Sequence, residues 1–136
     1  FIKRYTIMST FIRIDSILPF FKAGDKIPVI LTSGTPLGMS LDSINYTVTV
    51  DNPGIYMIDY TVYVNGSSSV GVYLDSTLVT GSTVNDTTII HGSITAKITA
   101  ASNEISLVNV SDTLINLEGV KDSSSNVILT IIRISD

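Results

Sequence analysis

The 136-residue sequence contains no cysteine and no tryptophan, and it has a single histidine. Without cysteine the chain has neither disulfide bonds nor a thiolate metal site, and one histidine cannot build a histidine-rich zinc site. Charged residues are also scarce, at 15% against roughly 25% in ordinary soluble domains. Because 44% of the residues are hydrophobic, we expect part of the folded surface to be buried against other copies.

The sequence also has few positively charged residues and no long apolar run. Eight Lys and Arg stand against twelve Asp and Glu, for a net charge of −4, and no basic cluster occurs, so we expect no nucleic-acid partner. No run approaches the roughly 20 apolar residues that span a bilayer, so we expect no membrane partner. Charged residues interrupt the apolar-rich residues 1–21, and no small-residue cleavage pattern follows, so we expect no signal peptide.

The clearest positive signal is strict alternation after the turn residues Pro53 and Gly54. One face of the run 55–65 carries Tyr56, Ile58 and Tyr60, which predicts a central strand with this side on the core. Similar runs bounded by turn residues recur along the chain, and helical periodicity is hard to find. The runs predict an all-β sandwich or barrel of about ten strands: 10–14, 27–31, 44–50, 55–65, 69–74, 77–80, 87–100, 104–110, 114–117 and 126–135.

The length fits one domain, which we divide into an apolar segment, residues 1–21, and a β domain, residues 22–136. Terminal segments are usually polar, so we expect this apolar segment to pack against a protein surface. It is either the first strand of its own sandwich or a connector that docks onto a neighbouring molecule. The residues assigned to docking between neighbours are Phe1, Ile2, Tyr5, Ile7, Phe11 and Ile12.

The run 127–134 is apolar on both faces. Val127, Leu129 and Ile131 alternate with Ile128, Ile132 and Ile134, whereas a strand buried on one side alternates apolar with polar residues. A neighbouring subunit is the simplest cover for the second face, and loops of the same chain are the alternative.

Residues typical of catalysis or metal binding do not form a recognisable set. His91 shares the polar side of its strand, which favours an ordinary surface histidine over a general base or a pH sensor. No serine lies in a Gly-x-Ser-x-Gly elbow, so we expect no enzyme. The acidic residues fall near turns without Asp-x-Asp-x-Asp spacing; we expect no cofactor, with calcium held by these loops as the alternative.

The strand pattern resembles the trimeric jelly-roll family that includes tumour necrosis factor (TNF) and the globular head of complement's first component. It is most similar to the bacterial branch represented by the C-terminal domain of the BclA collagen-like exosporium glycoprotein. No Gly-X-Y collagen repeat precedes the similar region, which covers about 27–135. The segments that carry the resemblance, in order, are 27–29, 48–62, 70–75, 78–82, 105–111 and 127–134.

The resemblance implies a TNF-like jelly-roll sandwich of two antiparallel sheets, about ten strands in all, that forms a homotrimer. It also implies that the aromatic strand and the last strand lie near the threefold axis. The interface residues expected on this basis are Tyr56, Ile58, Tyr60, Val127, Leu129 and Ile131.

The function that this resemblance implies is structural. We expect a homotrimeric subunit of a bacterial spore surface, in the exosporium or an appendage, with trimers stacked head to tail into a fibre through the N-terminal segment. The alternative is a receptor- or glycan-binding adhesive head of a surface or phage fibre, which uses loops such as 67–69 and 123–125. Tyr63 and Tyr73 are then the outward aromatic side chains that could stack on a sugar.

Overall fold

The computed structural model describes residues 3–9, 20–27, 29, 38–42, 44–100, 103–117 and 127–135. These residues form twelve β-strands and no helix. The strands are β1 (Lys3–Ser9), β2 (Phe20–Phe21), β3 (Met39–Asp42), β4 (Thr47–Val50), β5 (Gly54–Tyr63), β6 (Ser68–Leu74), β7 (Thr77–Leu78), β8 (Val84–Asp86), β9 (Ile89–Ile98), β10 (Glu104–Asn109), β11 (Ile115–Asn116) and β12 (Val127–Ser135).

Two antiparallel sheets hold ten of these strands, which confirms the predicted sandwich. The first has the order β1-β12-β5-β9, and the second has the order β3-β4-β10-β6-β7 with β8 paired to β6. The remaining strands, β2 and β11, form a small pair of their own. The pairs β1–β12, β12–β5, β5–β9 and β4–β10 join strands that are far apart in sequence, so the fold depends largely on long-range pairing.

The core lies between the two large sheets and follows from alternation. Along β5 every second side chain is buried, and Ile58, Tyr60 and Val62 are fully enclosed. β12 contributes Val127, Leu129 and Ile131 from the same sheet, in register with β5. From the six-stranded sheet come Val48, Val70, Val72, Ile105 and Leu107.

Tyr60 joins the two sheets through its hydroxyl group. The group donates to the backbone carbonyl of Ser82 at 2.5 Å, with the carbonyl of Val70 at 3.2 Å. The hydroxyl of Ser82 in turn accepts from the backbone N–H of Val72 at 3.0 Å. A buried polar group needs such partners, and its burial raises the pKa of Tyr60 to about 12.

Replacing Tyr60 with Phe keeps the ring and removes the hydroxyl group. We expect Tyr60→Phe to lower the free energy of unfolding by about 1–2 kcal/mol, because the buried carbonyl of Ser82 loses its donor. Urea denaturation measures this loss. The matched control is Tyr63→Phe on the half-buried opposite face of the same strand, where we expect a change below about 0.5 kcal/mol. Equal effects at the two positions would contradict the role of the hydroxyl.

The Tyr60→Phe variant also tests the raised pKa of Tyr60. Tyrosine ionises near 10 when unfolded and near 12 here, so between pH 10 and 12 the unfolded chain releases a proton that the folded chain keeps. This contribution of Tyr60 is therefore complete below pH 10 and is lost as the pH rises through 12. Stability of the wild type should fall more steeply across this window than that of Tyr60→Phe. Parallel pH profiles would contradict the shift.

The predicted strand 44–50 is wrong in its first half. Asp42 accepts from the backbone N–H groups of Asn45 and Ile44 at 3.0 and 2.9 Å, which holds its pKa below the usual value. Tyr46 has a positive φ of 56°, so the chain turns here instead of extending. A hairpin of β3 and β4 results, and β3 was not predicted from the sequence.

The predicted strand 10–14 lies outside the described residues, and the observed first strand is β1. It pairs with β12 in an unbroken antiparallel register from Lys3 opposite Arg133 to Ser9 opposite Val127. Residues 3–9 are therefore an edge strand of the four-stranded sheet of the same chain.

Candidate interaction surface

The four-stranded sheet turns one side to the core and the other away from it. We call the second side the outer face. It is half-buried along β5 and β12 and exposed along most of β9. Its members are Ile55, Met57, Asp59, Thr61 and Tyr63 of β5, Ile89, His91, Ser93, Thr95 and Lys97 of β9, and Ile128, Thr130, Ile132 and Ile134 of β12.

The middle of the outer face is apolar. Met57 lies opposite Ile132 in the ladder, and only 7% of the Ile132 side chain is exposed. Towards the two ends of β12 this patch continues with Ile128 and with Ile134, which is 44% exposed. Ile132 is thus already covered within its own chain, and the apolar surface left for a partner consists of the half-buried Met57 and Ile128 and the exposed Ile134.

The polar part of the outer face centres on His91. The hydroxyl oxygen of Thr61 lies 2.9 Å from His91 Nδ1, and Asp59 Oδ1 lies 3.4 Å from His91 Nε2. Alternation places the three together, because Thr61 pairs with His91 and Asp59 is two residues earlier on the same strand. The contacts fix the ring across β5 and β9.

A hydrolase triad also joins a hydroxyl group, an imidazole and a carboxylate in this order. The surroundings of Thr61, His91 and Asp59 differ from those of a triad. The His91 and Asp59 side chains are 59% and 36% exposed and lie on a sheet, with the neighbouring backbone N–H groups engaged in the ladder. A triad needs free N–H groups beside the nucleophile to stabilise the oxyanion. The arrangement fits cross-strand contact better than catalysis.

We expect His91→Ala to change the free energy of unfolding by less than about 1 kcal/mol, because exposed ion pairs contribute little. Thermal denaturation at pH 7 measures this. Ser93→Ala, one step along the same edge of the sheet, is the control for loss of an exposed side chain. A loss of several kcal/mol confined to His91→Ala would contradict the surface role.

All six residues predicted at a trimer interface face the core of their own chain. Tyr56, Ile58 and Tyr60 are 0 to 2% exposed, and Val127, Leu129 and Ile131 are at most 1% exposed. Their side chains therefore cannot meet a neighbour while the sandwich is intact. The prediction that the two strands lie at an interface remains a prediction, and the residues available for it are those of the outer face.

The residues assigned to docking between neighbours fall in two groups. Tyr5 and Ile7 belong to β1, in register with Ile131 and Leu129 of the same chain. Phe1, Ile2, Phe11 and Ile12 lie outside the described residues, so docking onto another molecule remains a prediction.

The loops proposed for glycan binding are only partly open. Ser68 is buried and donates to the carbonyl of Gly66 at 3.0 Å, while Ser69 accepts from the side chain of Asn85 at 2.7 Å. Loop 123–125 lies outside the described residues. Tyr63 and Tyr73 are half-buried, which reduces the ring surface that a sugar could stack on.

Neither Met57 nor Gly92 was singled out from the sequence, although Met57 lies at the centre of the outer face and Gly92 lies against the Tyr60 ring. On its face of β5, Met57 lies between Ile55 and Asp59 in a mixture of apolar and polar residues, so nothing in the pattern distinguished it. Gly92 lies directly opposite Tyr60 in the ladder, and only the register reveals that contact. For Ile132 the signal was present, since the two-faced pattern of 127–134 predicted a covered second face.

No protein-family model matches the chain, and no curated protein matches it. Solved structures do match. Eiger TNF from S. frugiperda superimposes with a TM-score of 0.70 at 9% identity, over 99% of this chain and 94% of that one. The fold is a TNF-like jelly roll. Murine APRIL at pH 8.0 gives 0.61 at 9% identity over 98% and 99%, and the PRD1 vertex protein P5 gives 0.50 at 15% over 98% and 96%.

These matches confirm the predicted TNF-like jelly roll, because they span almost the whole chain. At 9 to 15% identity the likeness concerns the fold, and the similarity to the bacterial branch remains a prediction. Within the described residues, no group of three or more His, Asp or Glu side chains is placed to hold a metal ion. The same residues include no helix with the length and apolarity to cross a membrane.

Proposed function

We propose that this chain is a structural subunit of a surface assembly, a homotrimer in which the outer faces of the four-stranded sheets are buried. The observation that carries the proposal is the apolar strip on the side of the sheet away from the core, where Met57 and Ile128 are half-buried and Ile134 is 44% exposed. Among the described residues, the titratable members of the outer face on β5 and β9 are Asp59, Tyr63, His91 and Lys97. Covering the strip removes apolar area from water at roughly 25 cal/mol per Å².

The site of the assembly that we propose is the surface of a bacterial spore, in the exosporium or an appendage. The support is the resemblance of 48–62 and 127–134 to the BclA-like branch, together with the low charge of the chain. Trimers would stack into a fibre through the N-terminal segment. Immunogold electron microscopy of spores with an antibody against the chain tests the location, and label confined to the cytoplasm would contradict it.

A receptor- or glycan-binding head is the second candidate. Two apolar side chains in loops favour it: Ile44 at the tip of the β3–β4 hairpin is 84% exposed, and Leu114 before β11 is 53% exposed. The likeness to a vertex protein of PRD1 is compatible with this role. A glycan array and a host-cell binding assay test it. Binding that Ile44→Ser and Leu114→Ser both abolish would favour the head over the purely structural role.

A further inference from the structure

The edge of β12 that β1 covers needs protection. Residues 127–133 each pair with β1 on one side, and β5 occupies the other side. The stretch from Val127 to Ile132 contains one polar residue, Thr130, and no charge or proline. Exposed edges of sheets are normally blocked by charges, prolines or bulges, and the only irregularity in the β5–β12 ladder falls after Arg133. β12 therefore needs a covering strand.

β1 is the strand that covers this edge, and its pairing with β12 holds it in the sheet. Among the described strands it has no second hydrogen-bonded neighbour, and its register covers seven consecutive pairs without a shift. A ladder of this kind consists of backbone hydrogen bonds, so the same seven pairs form with any copy of 3–9 that reaches the edge in the same direction.

The segment between β1 and β2 is long enough for β1 to reach the β12 edge of a second molecule. Ten residues, 10–19, separate Ser9 from Phe20, and ten residues reach at most about 33–36 Å when extended. A domain of this size has a diameter of roughly 35 Å. The segment can therefore place β1 on the sheet of an adjacent molecule while β2 stays with its own.

We propose that the β12 edge is the docking site for β1 of a second copy, so that neighbouring chains are joined by strand exchange in the register seen here. Exchange replaces the intrachain ladder with an identical one, which makes it a low-cost route to assembly. This inference rests on the proposed structural role and names the site that receives the N-terminal segment. Strand exchange is thus distinct from the contact between outer faces.

Two single-cysteine variants of the full chain test the exchange. Thr6 and Thr130 lie directly opposite each other, at a distance that a disulfide can bridge, and the chain has no other cysteine. Thr6→Cys and Thr130→Cys are unfolded together in denaturant, refolded as a mixture and oxidised. A disulfide between the two different variants requires β1 of one chain to lie on β12 of another. Denaturing mass spectrometry identifies this mixed dimer.

The control mixture uses Ser40→Cys and Thr49→Cys, which pair between β3 and β4 in the six-stranded sheet, away from β1 and from the outer face. We expect the mixed Thr6–Thr130 disulfide at roughly tenfold or more the yield of this control, because pairing raises the local thiol concentration. A yield equal to the control would overturn the proposal.

The double variant Thr6→Cys/Thr130→Cys gives a second readout. Exchange predicts covalent chains at multiples of 14.6 kDa on a non-reducing gel. Complete oxidation within single chains, or thiols that stay free, would overturn it. Native mass spectrometry of the wild type separates the two proposals: trimers without mixed disulfides would remove the exchange and leave the trimer standing, whereas monomers would remove the trimer.

Discussion

Gly92→Ala should destabilise the domain by about 3 kcal/mol, because the added methyl group meets a buried side chain. A Cβ atom at position 92 would lie 2.5 Å from Cζ and 2.6 Å from the hydroxyl oxygen of Tyr60. Neither backbone strain nor strand propensity explains this effect. It arises because the Tyr60 ring occupies the space where a side chain would be.

The Tyr60 ring has little freedom to move away. It is fully buried between the sheets, and its hydroxyl group is held by the carbonyl of Ser82. A shift of the ring therefore costs both packing and this hydrogen bond, which adds about 1–2 kcal/mol to the overpacking cost. Differential scanning calorimetry should show a melting temperature lower by roughly 10 °C.

The neighbouring residue provides the control for Gly92. Ser93 is exposed on the outer face, so Ser93→Ala should alter the free energy of unfolding by no more than about 0.5 kcal/mol. If Gly92→Ala were as well tolerated as Ser93→Ala, the position of the Tyr60 ring over β9 would be wrong.

Met57→Glu should dissociate the proposed trimer and leave the subunit folded. Met57 is half-buried at the centre of the outer face, opposite Ile132 in one neighbouring strand and Thr95 in the other. A carboxylate there would be buried three times in a trimer, each copy close to Asp59 of its own strand, and burying an unpaired charge costs several kcal/mol. We expect the dissociation constant to rise at least about 100-fold.

Ile44→Glu is the matched control for this charge. It makes the same change at an apolar residue that is 84% exposed and lies on the hairpin of the other sheet. Sedimentation velocity should find Ile44→Glu as large as the wild type and Met57→Glu as a monomer with an unchanged far-UV spectrum. A trimeric Met57→Glu would exclude the outer face as the interface.

The sequence predicted the sandwich well because its core strands alternate clearly. β5 and β12 were both placed within two residues of their observed bounds, since long apolar runs flanked by turn residues leave little choice. The short polar strands β3 and β8 were missed. β8 reads as Val84-Asn85-Asp86, a typical turn composition, and it becomes a strand only because β6 offers an edge to pair with.

The candidate surface was harder to predict than the fold. Alternation separates two faces of a strand but does not say which one meets the opposite sheet. On β5 the apolar residues predicted the core face correctly, but the resemblance also assigned Tyr56, Ile58 and Tyr60 to the trimer axis, and alternation alone did not exclude this. The same limit applied to β12, because Val127 and Ile128 are equally apolar. Only the packing of the second sheet distinguishes the core face from the outer face.

Native mass spectrometry of the full chain at low micromolar concentration tests the central claim most directly. The proposed assembly predicts a dominant species of three times 14.6 kDa that the Met57→Glu variant lacks. A wild type that remains at 14.6 kDa at every concentration would contradict the claim that the outer face is buried between copies.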